Sequence, residues 1–275
     1  MAAWVEELQS RGLYAFTRAQ AEAETGRSFV ATQSALRRLK EQGRIVSPRR
    51  GFYVVVTPEY RATGSPPASW FVHDLMAYLG QPYYVGLLTA AALHGAAHQQ
   101  PMVFQVVTRQ PIREAIAGRV TLRFHMSRMV DRLPVTAMET ETGTMRVATA
   151  ETTAFDLVRY PAAAGHLGNV ATVLLELAER LDPRLLVSIA PVVRLPDVQR
   201  LGYILEAVGL PDLAAPLQEW LRPRRPRSVP LQPGEPAPRV PDGRWHVLPN
   251  AELEVEANHE VRVLGAVISD PRFQL

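Results

Sequence analysis

"TRAQAEAETGRSFVATQSALRRLKEQGRIVSPRRGFYVVV", Thr17 to Val56, decides the fold of the first part of this chain. Thr17 with Gln20 three residues on makes a capping box, which opens a short helix that closes at Thr25 and Gly26. Ser28 is placed to cap a further helix whose stop is Gly43. After it, "RIVS", the turn "PRRG" and "FYVVV" alternate strand-forming residues with turn chemistry, which predicts a two-stranded hairpin. Upstream, Trp4, Val5 and Leu8 form an apolar stripe in a first helix that runs out near Gly12. Helix, helix, turn, helix, hairpin is the order of a winged helix-turn-helix.

Charge is concentrated in the same stretch. Arg27 to Arg50 carries seven bases (Arg27, Arg37, Arg38, Lys40, Arg44, Arg49, Arg50) against one acid, Glu41. That is +6 in a chain whose formal net charge is +3, so the remainder sums to −3. Residues spaced 100° apart from Ser28 to Gln42 place Ala31, Thr32, Ala35, Leu36 and Leu39 on the packing side. The opposite side carries Val30, Gln33, Ser34, Arg37 and Lys40. Gln pairs with adenine edges, Arg with guanine, Val meets a thymine methyl, and Ser donates to base or phosphate. Val30, Gln33, Ser34 and Arg37 are therefore the expected base contacts, with Lys40 on a phosphate. Arg49 and Arg50 are expected at the tip of the wing, entering a minor groove or straddling phosphates. Arg27 and Ser28 sit where a phosphate would meet the helix N-terminus. Roughly six phosphate contacts would give a log–log salt slope of about −5.

Beyond the hairpin, "TPEYRATGSPPAS" (Thr57 to Ser69) reads as a connector, which divides the chain into a DNA-binding domain over 1–60 and a larger domain over 70–275. The larger part mixes helical stretches ("WFVHDLMAYLG", "LLTAAALHGAAH", "AETTAFDLVRY", "VATVLLELAERL", "VQRLGYILEAVG") with strand-like runs ("MVFQVVT", "VTLRFHM", "TMRVAT", "RWHVL", "ELEVE", "VRVLGAVI"). It predicts an α+β domain with an antiparallel or mixed sheet. Seven prolines between Pro223 and Pro241, behind the basic run "RPRRPR", predict a poorly structured or polyproline-like connection to a β-rich tail.

The chemistry of an enzyme is hard to find. With no cysteine in 275 residues, disulfides, thiolate zinc sites and cysteine nucleophiles are excluded. The only lysine is Lys40, so a nuclease core built on a catalytic lysine beside carboxylates has no lysine to use. "GSPPASWFVHD" has the Gly64–Ser65 pair of a nucleotidyltransferase but a single carboxylate, Asp74. P-loop, GxGxxG and GxSxG patterns are absent. His94 and His98 are four apart but lack a third ligand, and Glu252, Glu254 and Glu256 alternate along one strand face. Neither a metal nor a cofactor is expected. The longest apolar runs, such as Tyr83 to Ala97, fall short of the ~20 residues that span a bilayer. "MAAWVEELQS" has acids where an export signal has bases, so a soluble cytoplasmic protein is expected.

With the winged helix in place, "YYVGLLTAAALHGAAHQQPMVFQVVT" (Tyr83 to Thr108) and "MRVATAETTAFDLVRY" (Met145 to Tyr160) resemble the AbiEi family of antitoxins, of type IV toxin–antitoxin and abortive-infection systems, over the first 160 residues or so. Thr149, Glu151 and Thr152 in the second motif supply a helix cap. The resemblance implies an autorepressor that binds inverted repeats in its own promoter, with two copies on the DNA. It also implies an antitoxin domain that neutralises a nucleotidyltransferase-like toxin encoded alongside, without a stable direct complex. The alternative reading is a winged-helix regulator with a ligand-sensing domain and no toxin partner. A third is a nucleic-acid-processing enzyme targeted by its winged helix. Arg109, Arg113, Arg119, Arg123 and Arg128 are read as surface arginines of an arginine-biased chain.

Overall fold

A computed structural model describes residues 1–96, 102–257 and 260–264, with side chains up to Leu253 in the last stretch. The elements are those of an α+β protein, a winged helix followed by a larger mixed sheet with helices. Contacts divide the chain elsewhere than at the connector, into Met1–Thr89 with Gln100–Ala148, and Ala90–Gln99 with Thr149–Leu275. The winged helix and the large sheet thus belong to the same compact unit.

In that first unit, α1 (Ala2–Ser10), α2 (Arg18–Thr25) and α3 (Phe29–Glu41) form where the stop and cap residues put them. Thr17 accepts from the Gln20 amide while the Gln20 side chain accepts from the Thr17 amide, so both halves of the capping box are made. Ser28 caps α3, and Gly26 and Gly43 turn the chain at φ of 64° and 65°. The hairpin strands β2 (Ile45–Arg49) and β3 (Phe52–Val55) are joined by a strand the sequence did not announce, β1 (Ala15–Thr17), which runs antiparallel to β3 and makes a three-stranded sheet. Val5, Leu8, Phe16, Ala21, Leu36, Leu39, Ile45 and Val55 close the core, with Trp4 edge-on to Phe16 at 5.0 Å. A fully buried leucine is worth roughly 1.5–3 kcal/mol here, so this small body holds through its apolar stripe more than through helix propensity.

The connector is fastened. Its Thr63 carbonyl accepts from the Arg119 amide at 2.8 Å, and Gly118 (φ 56°) backs onto Thr63 and Gly64 so closely that a Cβ would collide with the Thr63 carbonyl oxygen. After α4 (Val72–Tyr78) comes a six-stranded mixed sheet in the order β6-β7-β5-β4-β9-β8. Its strands are β4 (Tyr83–Val85), β5 (Phe104–Thr108), β6 (Ala115–Ala117), β7 (Val120–Met126), β8 (Val135–Thr140) and β9 (Gly143–Ala148). Pairs β4–β9 and β5–β7 are parallel and the rest antiparallel. Tyr83, Tyr84 and Val85 are all buried in the sheet centre. Gln105 and Thr89 fasten the following helix, α5 (Leu87–Leu93), through bonds of 2.9 Å from the Leu88 amide to the Gln105 side chain and from the Gln105 amide to Thr89.

The second unit carries α6 (Ala150–Arg159), α7 (His166–Leu177), α8 (Pro183–Ile189), α9 (Leu195–Ala207) and α10 (Pro211–Leu221). Thr149 caps α6 through the Thr152 amide, whereas Glu151, expected to share that cap, accepts from the Asp182 amide at 3.1 Å and so holds the start of α8. The proline-rich segment is more ordered than its composition suggests. Val229–Pro230 (β10) pairs in parallel with Val247–Leu248 (β11), Trp245 is buried against Gly202, and the Gln199 side chain donates to the Arg227 and Trp245 carbonyls at 3.0 Å each. A final antiparallel pair, β12 (Leu253–Ala257) and β13 (Glu260–Leu264), follows.

Candidate nucleic-acid interface

α3 presents its polar face as helical phase requires. Thr32, Ala35, Leu36 and Leu39 are buried, while Val30, Gln33, Ser34, Arg37 and Lys40 are exposed. One residue departs from the expectation: Ala31 is exposed, because it lies in the first turn, where its amide donates to the Ser28 hydroxyl at 3.4 Å and the helix runs clear of its packing partners. Phe29 and Val30, 48% and 69% exposed, add an apolar edge to the reading face. The Phe29 ring lies under the Arg18 guanidinium, 4.5 Å from its centroid.

Between α3 and the wing is an open cleft of about 650 Å³, lined by Gln33, Ser34, Arg37, Lys40, Ser47, Arg50 and Tyr53 with Leu36 and Gly51 at its floor. Arg37 lies 3.6 Å from Glu41, with both side chains mostly exposed. Such a pair contributes little and exchanges readily for a base or phosphate. Lys40 and Arg50 are exposed at the two sides of the cleft, and Arg27 is exposed beside the helix start.

Arg49 lies elsewhere. Its guanidinium donates to the carbonyls of Arg113 and of Glu114, the latter at 3.0 Å, and its carbon sits 5.7 Å from the Phe124 ring centroid. Burial lowers its pKa, yet a guanidinium stays charged at any physiological pH. Arg49 therefore ties the wing to the loop before β6. A second tie comes from Tyr78 at the end of α4, whose hydroxyl donates to the Arg50 carbonyl at 2.9 Å. Gly51 (φ 84°) is required beside it, since a Cβ there would stand 2.7 Å from the Tyr78 hydroxyl oxygen. On the other side the Gly51 carbonyl accepts from the Arg18 amide at 2.9 Å. Tyr78, Arg113 and Glu114 carry no sequence mark of this role, since their partners are far away in the chain. Arg44 is likewise spent, bonded to Glu6 of α1 at 2.8 Å.

The other candidates form no second centre. His94 is half-buried at the end of α5, and His98 lies outside the described residues. Glu252 is exposed, and the side chains of Glu254 and Glu256 are also outside the described set. Among the described residues no three His, Asp or Glu gather as a metal site, and no helix is long and apolar enough to cross a membrane. Arg109 pairs with Asp131, and Arg123 with Glu114 at 2.9 Å.

Three helices, the last with an exposed polar face, and a hairpin wing define the winged helix-turn-helix class. The comparisons go a step further. A family model described as transcriptional regulator, AbiEi antitoxin, matches residues 5–56, and the model of the AbiEi antitoxin C-terminal domain matches residues 84–207. The chain belongs to the AbiEi antitoxin family. Among solved structures it is similar to the crystal structure of the RV2827C protein from Mycobacterium tuberculosis, with a TM-score of 0.61 at 17% identity over 89% of each chain, a likeness of fold. No curated protein sequence matches it.

Proposed function

We propose that the chain is an autorepressor that reads inverted repeats in its own promoter through the α3–wing cleft, and an antitoxin against a nucleotidyltransferase-like toxin encoded beside it. The cleft carries the reading: donors, acceptors and three cations, Arg37, Lys40 and Arg50, line one open groove. Gln33, Ser34, Arg37 and Val30 face the bases, and Arg27, Ser28, Lys40 and Arg50 hold phosphates, while Arg49 supports the wing from behind. Residues 1–60 serve as the DNA-binding domain and residues after 70 as the antitoxic one, which acts on the toxin without a stable complex. Two copies occupy the two repeats, and the protein works in the cytoplasm.

Fluorescence anisotropy of the full chain on its promoter, against an unrelated duplex, tests the DNA half. With Arg49 withdrawn, the three cationic phosphate contacts from Arg27, Lys40 and Arg50 predict a log–log salt slope of roughly −2.7. A flat salt response, or equal affinity for both duplexes, removes the reading. Co-expression with the neighbouring toxin tests the other half: growth rescue should survive substitution of the reading face.

A further inference from the structure

The densest unpartnered positive charge outside the winged helix lies in the second unit, beyond the last residue matched by the antitoxin family model. Between Glu219 and Glu235 the chain holds no carboxylate and four arginines, Arg222, Arg224, Arg225 and Arg227. All four are exposed, and among the described residues none has an acid within ion-pair distance. Several arginines elsewhere do sit on carboxylates, Arg18 on Glu22, Arg44 on Glu6, Arg109 on Asp131, Arg123 on Glu114 and Arg194 on Asp197, and what sets this segment apart is four arginines within six residues. Four like charges held together repel one another, a standing cost that a polyanion removes.

The segment is also fixed in shape. Upstream it leaves α10, anchored by buried Leu217 and Leu221, through a single turn of 3-10 helix at Arg222–Arg224. Arg225 then turns the chain with φ 44°. Downstream, Arg227 is held through its carbonyl by Gln199, and Pro230 through its carbonyl by the Arg200 guanidinium at 3.0 Å, both donors being buried. Within this ridge Arg224 lies flat over the half-buried Trp220 indole, 3.6 Å from its centroid, and also bonds the Trp220 carbonyl. A guanidinium laid flat in this way leaves its outer face for a nucleobase, while its neighbours address phosphates.

We infer that Trp220 and the four arginines form a second nucleic-acid site, separate from the winged helix, that takes the backbone of a single strand with a base stacked on Arg224. Ordering of the ridge before binding lowers the entropy cost of gripping a flexible ligand.

The test uses the full chain carrying Arg37→Ala and Lys40→Ala, so that operator reading does not contribute. Anisotropy is measured with labelled 16-mers of one mixed sequence as single-stranded RNA and as single-stranded DNA. Arg222→Ala, Arg224→Ala, Arg225→Ala and Arg227→Ala together should weaken single-strand binding tenfold or more at low salt. They should also make the log–log salt slope shallower by about 3. A second variant, Arg222→Glu with Arg227→Glu, changes the charge by the same amount but leaves the Arg224–Trp220 contact in place and should show the same direction. Loss confined to RNA identifies RNA as the ligand, and loss on both identifies the shared backbone. Affinity unchanged within twofold for both strands overturns the inference, including where the variant loses only growth rescue, which would assign the ridge to a protein. Promoter binding, read with Arg37 and Lys40 intact, should not change in either ridge variant, so failure here is distinct from failure of the operator reading.

Discussion

On α3, Gln33, Ser34, Arg37 and Lys40 all reach the face that helical spacing assigns them, whereas of the two arginines at the wing only Arg50 is exposed and Arg49 is bonded to the carbonyls of Arg113 and Glu114. A helix carries each side chain at an angle set by its own hydrogen bonds, so its exposed face follows from local order. A hairpin alternates its faces, and which face meets solvent depends on what packs behind it. Charge density alone therefore locates the basic body of the chain but not which of its side chains stay exposed.

The largest test of this contrast is on the helix. Arg37→Ala with Lys40→Ala should cost about 2–4 kcal/mol of operator affinity, thirtyfold or more, and flatten the salt slope by about 1 through the lost Lys40 phosphate contact. A loss in the unrelated duplex equal to that in the operator would show that α3 grips without reading. On the wing, Arg49→Ala should leave the salt slope where it is but lower stability by about 1–3 kcal/mol, since two carbonyls lose a charged donor. Thermal melting with and without DNA separates the two effects, and a shallower salt slope would return Arg49 to the DNA. Smaller again is Tyr78→Phe, which removes one hydrogen bond to the Arg50 carbonyl and should cost about 0.5–1.5 kcal/mol of stability, with a few-fold loss of affinity as the wing loosens. Least of all is His125 in β7, whose pKa burial lowers, with Arg123 adding to the effect. Its neutral form is the folded one, so its contribution is complete above the unfolded pKa of about 6.5 and is lost as pH falls through that value toward the folded one. Melting between pH 7.5 and 5.5 should drop by about a degree or two, a drop that His125→Gln abolishes.

How much of the molecule was legible follows the same division. The capping box at Thr17, the Ser28 cap and the glycine stops are local chemistry, written within four residues of where they act. The strand β1 was not legible, because three residues become a strand only when β3 supplies the partner backbone. Strand β4 escaped for the same reason, its three residues pairing with β5 and β9 far along the chain, while β6 is only three residues long and β8 escaped although its partner β9 follows after a two-residue turn. α8 and α10 begin at Pro183 and Pro211, and α10 contains Pro216 as well, so prolines that read as breakers stand at helix starts or are tolerated inside. The proline-rich segment was expected to be loose because its anchors, Gln199, Arg200 and Gly202, sit in α9, far back in the chain. In the site, Arg49 went astray because its partners lie 64 and 65 residues downstream.

Gly118 pressed against Thr63 and Gly64, beside the wing's own ties, has a consequence for geometry on DNA. A regulator on a loose tether would let its sheet swing to any azimuth around the duplex. On the proposed reading, in which α3 enters a DNA groove, the bearing of the six-stranded sheet follows from that of α3. With ~10.5 base pairs per turn, inserting five between the proposed repeats would turn the sheet of one bound copy by about half a turn relative to that of the other.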